Sequence, residues 1–212
     1  LTERFDKSTE RKLIDIAVIR LPRISNFTDF SPFERYGNVS LRYVDSVGDL
    51  HQPDMIILPG TKSTIADLRW LRQCGLEAAI HKAADAGTLV FGVCGGYQML
   101  GRTVSDPEQV EAAGTTEILG MGLLEMDTIF LGEKVQAQTT GVFAGISGVL
   151  SDLNGMSYSG YEIHMGRSEE EMPALAGTGN VYGSYVHGVF DASGISDTIL
   201  KALCVRKGID FD

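Results

Sequence analysis

Short apolar runs alternate with amphipathic stretches through the first hundred residues. Ile14 to Leu21 is apolar apart from Asp15 and Arg20 and stops at Pro22, the pattern of a buried strand. Leu41-Arg42-Tyr43-Val44 predicts a second strand, and Met55-Ile56-Ile57-Leu58 a third that ends at Pro59-Gly60. Ser63 can cap a helix from Thr64 to about Cys74, with Ile65, Leu68 and Leu71 on one face. A second helix runs from about Leu76 to Ala86 and stops at Gly87. Leu89 to Val93 predicts a fourth strand, and Cys94-Gly95-Gly96 turns the chain into a helix carrying Tyr97, Gln98, Met99 and Leu100.

That rhythm predicts an α/β fold with a mostly parallel central sheet and helices on both faces. It changes after Gly101. Ser105 to Glu117 is polar and loop-like, and strand-like segments then recur with little helix between them: Ile129–Leu131, Val135–Val142, Tyr161–Met165 and Val181–Val186. They predict an antiparallel C-terminal extension of the same sheet rather than a second domain. A helix over about Ser196 to Lys207 closes the fold. Residues 1–13 are mostly polar and read as an interdomain linker or tail, leaving 14–212 as one domain.

Charge and composition narrow the function classes. With 18 Lys+Arg against 28 Asp+Glu the formal net charge is -10, which disfavours nucleic-acid and anionic-membrane surfaces. No run approaches the roughly 18 apolar residues of a spanning helix, and the first dozen residues are too polar for a signal peptide. Cys74, Cys94 and Cys204 are too scattered for a disulfide framework and lack the spacing of a zinc site, so no metal and a reduced, cytoplasmic setting are expected.

Chemistry concentrates at Gly92-Val93-Cys94-Gly95-Gly96. A nucleophile between a strand and a helix occupies a sharp turn and projects from the carboxyl edge of the sheet. Small residues two before and two after it relieve the crowding there. The helix N-terminus favours a thiolate, and the Gly95 N–H faces any oxyanion at the attacked carbon. Cys74 and Cys204 lack such surroundings. Of the four histidines, His51 and His81 fall at positions suited to solvent, and His164 alternates with Glu162 along one strand. His187 stands at the end of an apolar strand, where a base for the thiol belongs. Leu58-Pro59-Gly60-Thr61-Lys62-Ser63-Thr64 fails the phosphate-loop spacing, because Thr61 stands where glycine must precede the lysine. It reads instead as a second strand-end turn, with Gly60 completing an oxyanion hole.

Together these stretches resemble the class I (triad-type) glutamine amidotransferases, and among them the glutaminase domains of cobyric acid synthases. The similarity covers nearly the whole chain from Ile14. Its most specific pieces are Ile16 to Phe30, which ends in Asn26-Phe27-Thr28-Asp29-Phe30, Leu58 to Lys62 and Gly92 to Gly101; Gly160 to Gly166 and Tyr185 to Phe190 complete it. The resemblance implies a flavodoxin-like class I glutamine amidotransferase fold. In it Cys94 attacks the side-chain amide of glutamine and His187 gives a proton to the departing ammonia. Gly60 and Gly95 hold the oxyanion, and Gln98 with Tyr97 helps line the glutamine pocket. It implies no cofactor in this domain. The partner is an ATP-dependent synthetase domain, with ATP and magnesium, that amidates a corrinoid in cobalamin biosynthesis. That domain is absent from the 212 residues. Relatives usually carry a glutamate two residues after the histidine; here that place is Val189. Glu162, Asp191 or a carboxylate on a partner domain is left to orient His187, and Lys134 is a candidate grip for the substrate carboxylate.

Three other readings remain at this stage. The chain could serve a related amide ligase, a cobyrinic acid a,c-diamide synthase or a cell-wall isoglutaminyl ligase. It could be a cysteine hydrolase that does not take glutamine. It could also be a non-catalytic docking module, although Cys94 and His187 are both retained.

Overall fold

Side chains along each central strand feed two different cores in turn. In the computed structural model, which describes residues 12–114, 117–168 and 172–211, the elements follow in chain order. The first half runs β1 (Ile14–Ile19), a 3-10 segment (Phe27–Arg35), β2 (Val39–Val44), α1 (Val47–Leu50), β3 (Met55–Leu58), α2 (Thr64–Gln73), α3 (Leu76–Asp85), β4 (Leu89–Val93) and α4 (Gly95–Leu100). Next come β5 (Thr103–Ser105), β6 (Glu117–Leu119), β7 (Asp127–Val142), a 3-10 segment (Gly148–Leu153) and β8 (Ser157–Ser168). The chain ends with β9 (Ala176–Thr178), β10 (Val181–Ser184), β11 (Val186–His187) and α5 (Ile195–Lys207). The linker expected at the start falls largely on residues 1–11, outside the described residues.

Strand alternation explains the layers. Ile16, Val18, Met55, Ile57, Phe91 and Val93 join one core with Ile199, Leu200 and Leu203 of α5. Ala17, Ile19, Ile56, Leu58 and Val90 join the other, with Leu68 and Leu71 of α2, Ile80 of α3 and Met99 of α4. Helices therefore cover both faces of the sheet, as the pattern predicts.

Among the described residues the strands form two sheets. One has six strands in the order β2-β1-β3-β4-β10-β9, parallel except for β9; the other has five in the order β11-β8-β7-β5-β6. This corrects the expectation that the C-terminal strands extend the first sheet. Strand β9 takes the open side of β10. That leaves β7 and β8 to pair with each other along a long antiparallel ladder. The predicted strand Val181–Val186 is broken at Tyr185: β10 stays on β4, and β11 crosses to β8.

Two strand ends set up the site. Leu58 of β3 lies beside Gly92 of β4, so the turns that follow both strands are neighbours. They touch so closely that a Cβ on Gly96 would lie 2.0 Å from the Leu58 carbonyl oxygen, and one on Gly92 2.7 Å from the Tyr97 backbone. The small residues flanking Cys94 are a steric requirement of this crossing.

Candidate active site

Cys94 sits between β4 and α4 at φ 53 and ψ -112, a backbone conformation that non-glycine residues adopt only under strain, at a cost of about 1–3 kcal/mol. Neighbouring bonds hold it there: its N–H donates to Ser184 O at 2.8 Å, and its carbonyl accepts from Gln98 N at 3.0 Å. The thiol is largely buried and donates to Ile163 O of β8 at 3.4 Å. It lines a pocket of about 340 Å³ shared with Asn26, Gln98, Glu111, His164 and His187. That is the small end of the range for ligand sites and suits an amino acid.

His187 ends β11 and is 1% exposed. Its Nδ1–H donates to Asp29 Oδ2 at 2.7 Å, while Asp29 Oδ1 accepts the Gly188 N–H at 3.1 Å. Cys94 lines the same pocket and interacts electrostatically with the ring. With Nδ1 committed to Asp29, Nε2 is the nitrogen left for the sulfur. Burial alone would lower the pKa of His187. The hydrogen bond to Asp29 and the electrostatic pull of Cys94 and Asp29 overcome that and hold it up at about 10. The surroundings of the ring therefore favour its protonated form.

The segment after β1 delivers Asp29. Ile24 bridges Thr61, Ser25 N–H donates to Gly60 O at 2.9 Å, and Lys62 N–H donates to Arg23 O at 3.0 Å. Fully buried Asp67 fastens the junction, accepting from Thr61 Oγ1 at 2.6 Å and from the Arg23 guanidinium at 3.1 Å. Beyond it, left-handed Asn26 (φ 54) places Nδ2 3.1 Å from Nδ1 and 3.3 Å from Nε2 of His187, across the ring. Tyr161 stacks on His187 at 5.3 Å between ring centroids.

The other predicted residues sort by geometry. A Cβ on Gly60 would lie 3.1 Å from His187 Cε1 and 3.8 Å from Cys94 Cβ, so Gly60 adjoins both reactive side chains. Gly95 packs on the same turn, with its Cβ position 3.3 Å from Thr61 N. Gln98 lines the pocket with its amide fixed at both ends: Nε2 donates to Met165 O at 2.9 Å, and Oε1 accepts from Thr64 Oγ1 at 3.1 Å.

Three expectations are corrected. Tyr97 does not line the pocket: adjacent residues on a helix point about 100° apart, and its ring packs on Tyr185 at 5.0 Å. Glu162 is not the carboxylate on His187. Tyr161 pairs with His187 and Glu162 with Val186, so the pleat sends Glu162 away from the ring. Glu162 Oε2 lies instead 3.4 Å from His164 Nε2. Ser63 takes the N-cap position of α2 without a side-chain bond; Glu111 caps that helix, accepting from Thr64 N at 3.1 Å and Ile65 N at 3.0 Å. Asp191 closes the turn after β11, its N–H donating to Gly188 O at 2.9 Å. Lys134 pairs with Met165 in the β7–β8 ladder, and its side chain lies outside those described. His164 does line the pocket, stacked on Tyr185 at 4.0 Å.

Sequence reasoning missed Asp29 and Glu111. Asp29 falls on a stretch without strand or helix periodicity, and its one local cue is a carboxylate flanked by Phe27 and Phe30. Glu111 lay in a polar loop with no periodicity to place it.

The fold and site define a glutamine amidotransferase. A crystal structure described as a glutamine amidotransferase superposes with a TM-score of 0.60, at 18% identity, over 92% of this chain and 99% of that one. The chain belongs to the CobB/CobQ-like glutamine amidotransferase domain family, whose model matches residues 15–195. It is 50% identical to a cobyric acid synthase of Lachnoclostridium phytofermentans, over 100% of this chain and 46% of that protein. A cobyric acid synthase of Ruminiclostridium cellulolyticum is 46% identical, over 100% of this chain and 45% of that protein. The chain thus spans less than half the length of these relatives.

Proposed function

We propose that this chain is the glutamine-hydrolysing part of a cobyric acid synthase. The observation that carries the reading is one constellation: a strained elbow cysteine and a histidine held by a buried carboxylate, both lining one amino-acid-sized pocket. The Cys94 thiolate attacks the side-chain carbonyl carbon of glutamine, and the oxyanion settles against the N–H groups of Gly60 and Gly95. Loss of one such donor typically costs about 10²–10³ in rate. His187 gives its proton to the nitrogen, the C–N bond breaks, and ammonia leaves a glutamyl thioester on Cys94. Neutral His187 then takes a proton from water as the oxygen attacks the thioester carbon. Glutamate departs, and the thiolate–imidazolium pair returns. Asp29 accepts from Nδ1 throughout and keeps Nε2 on the sulfur.

The ammonia serves an ATP-dependent synthetase that amidates peripheral carboxylates of a corrinoid in cobalamin biosynthesis, with ATP and magnesium bound there. Identity to proteins of that name, each about twice as long, supports this partnership. We also infer the flavodoxin-like class I assignment with residues 14–212 as one domain, since β2-β1-β3-β4-β10 follows the 2-1-3-4-5 order of that fold. A cytoplasmic location fits three unpaired cysteines. Among the described residues no helix is long and apolar enough to cross a membrane.

Covalent trapping tests the reading. A glutamine-like diazoketone should add one adduct to the wild type, mapped by mass spectrometry to Cys94, and none to Cys94→Ser. Labelling elsewhere, or equal labelling of the variant, would overturn it.

A further inference from the structure

Two side chains of one segment grip His187. Asp29 has a part in the catalytic steps; Asn26 has none. The Asn26 amide nitrogen lies 3.1 Å from Nδ1 and 3.3 Å from Nε2 of the ring. Distances so nearly equal place it over the ring, because in the ring plane they would press it against Cε1. Asn26 lines the same pocket as Cys94 and His187. Its backbone is left-handed, at φ 54 and ψ 51, a conformation that asparagine tolerates and most residues do not. The stretch that pins Ser25 to Gly60 therefore ends by turning an amide onto the catalytic imidazole.

The two contacts act in opposite directions. Asp29 accepts a hydrogen bond from Nδ1–H and favours the imidazolium. With that hydrogen committed, the ring offers an N–H donor only its π face and the Nε2 lone pair, and both belong to the neutral form. A donor held against the cation meets no acceptor and is repelled. The other titratable groups around the ring are Cys94 on the β4–α4 turn, Tyr161 on β8 and Asp191 on the turn after β11. His164, Glu111 and Lys62 line the rest of the pocket. The balance matters most once the thioester has formed. Cys94 is then neutral and its pull on the ring is gone, while Asp29 remains. A proton taken from solvent at Nε2 would leave no base for the water that must attack the thioester carbon.

We infer that Asn26 is a positioning residue, which holds the His187 ring in its neutral form with Nε2 free and so speeds release of the glutamyl group as glutamate. This rests on the glutaminase reading and adds how one histidine serves as acid in the first half of the reaction and as base in the second. In that second half the proton passes from water to Nε2 as the oxygen bonds to the carbon, and the carbon–sulfur bond then breaks to return the thiolate.

Two variants test it. Asn26→Gly removes the amide and suits the left-handed backbone better than asparagine does, so the fold is kept. Asn26→Asp puts a carboxylate in the place of the amide. In the Cys94→Ser background, which removes the charge of the thiolate, ring-nitrogen chemical shifts read by NMR follow the protonation of His187 directly. The titration midpoint should rise by about half a pH unit in Asn26→Gly, the worth of one N–H contact with an aromatic ring. In Asn26→Asp it should rise further. With Cys94 intact, the acidic limb of the kcat profile for glutamine hydrolysis should move up by the same amount in Asn26→Gly. A glutamyl adduct should also build up on Cys94 at neutral pH beyond its wild-type level, read by intact mass after an acid quench. Loss of packing alone would lower the rate equally at every pH and leave midpoint and adduct as in wild type. That result overturns the inference. So does a midpoint that falls, which would mean that the amide oxygen faces the ring. If the midpoint rises but wild type neither hydrolyses glutamine nor takes up any adduct, the contact stands and the glutaminase reading fails.

Discussion

Asp29 and His187 are separated by 158 positions in sequence and by 2.7 Å in space. The bond is almost sealed from water, with Asp29 3% and His187 1% exposed. The same carboxylate also holds the Gly188 N–H, so one side chain fixes both the ring and the turn behind it. The acid that orients the histidine thus comes from the segment after β1.

Removing that carboxylate should change chemistry more than fold. In Asp29→Asn the amide keeps the shape but no longer stabilises the imidazolium, and glutamine hydrolysis should fall by at least about a hundredfold, the low end for general acid–base catalysis. The pH profile of Cys94 alkylation should shift as well, and Asp29→Glu should restore part of the rate. An unshifted profile would leave Asp29 with a structural role only.

The raised pKa of His187 has a stability consequence of definite sign. Its value moves from 6.5 to about 10 on folding, so the native state holds the proton more tightly. The contribution is complete below about 6.5 and disappears as pH rises through about 10. Thermal melts of the wild type should therefore lose stability across that window more steeply than those of His187→Gln. Parallel curves would show that the histidine is not charged in the folded protein.

How far the site was legible depended on the range of each cue. Cys94 and its flanking glycines sit within five consecutive residues, and His187 ends an apolar run, so local pattern sufficed. Asp29 lies on 3-10 turns, whose three-residue period matches neither a strand nor an α-helix, and its partner is distant in the chain. Choosing between Glu162 and Asp29 required the register of β11 against β8, which alternation along a single strand does not contain. The second sheet was hidden for the same reason. Alternating residues in β7 and β8 predict strands without naming their neighbours.

Gly96 should tolerate no side chain. Its Cβ would lie 2.0 Å from Leu58 O and 2.5 Å from the carbonyl carbon, both backbone atoms of a central strand that cannot swing away. Gly96→Ala should cost about 1–3 kcal/mol in urea unfolding, as overpacking does, and should slow Cys94 labelling because the elbow must shift. A variant with wild-type stability would mean that α4 stands further from β3.

Tyr97 offers the converse test, a change at a conspicuous position with little effect on the reaction. Its ring fills the space above Gly183, where a Cβ would come within 1.9 Å of it, and its hydroxyl is buried with no hydrogen-bond partner among the described residues. A buried, unsatisfied hydroxyl costs about 1–3 kcal/mol, so Tyr97→Phe should hold or raise the unfolding midpoint. Because the ring faces Tyr185 and not the pocket, the rate of diazoketone labelling at Cys94 should be unchanged. Tyr97→Ala should instead destabilise strongly, by about 3–5 kcal/mol for the loss of a large buried ring. If Tyr97→Phe slowed labelling while Tyr97→Ala left stability intact, the ring would belong to the substrate pocket, and α4 would have to be rotated by about the 100° that separates neighbouring helical positions.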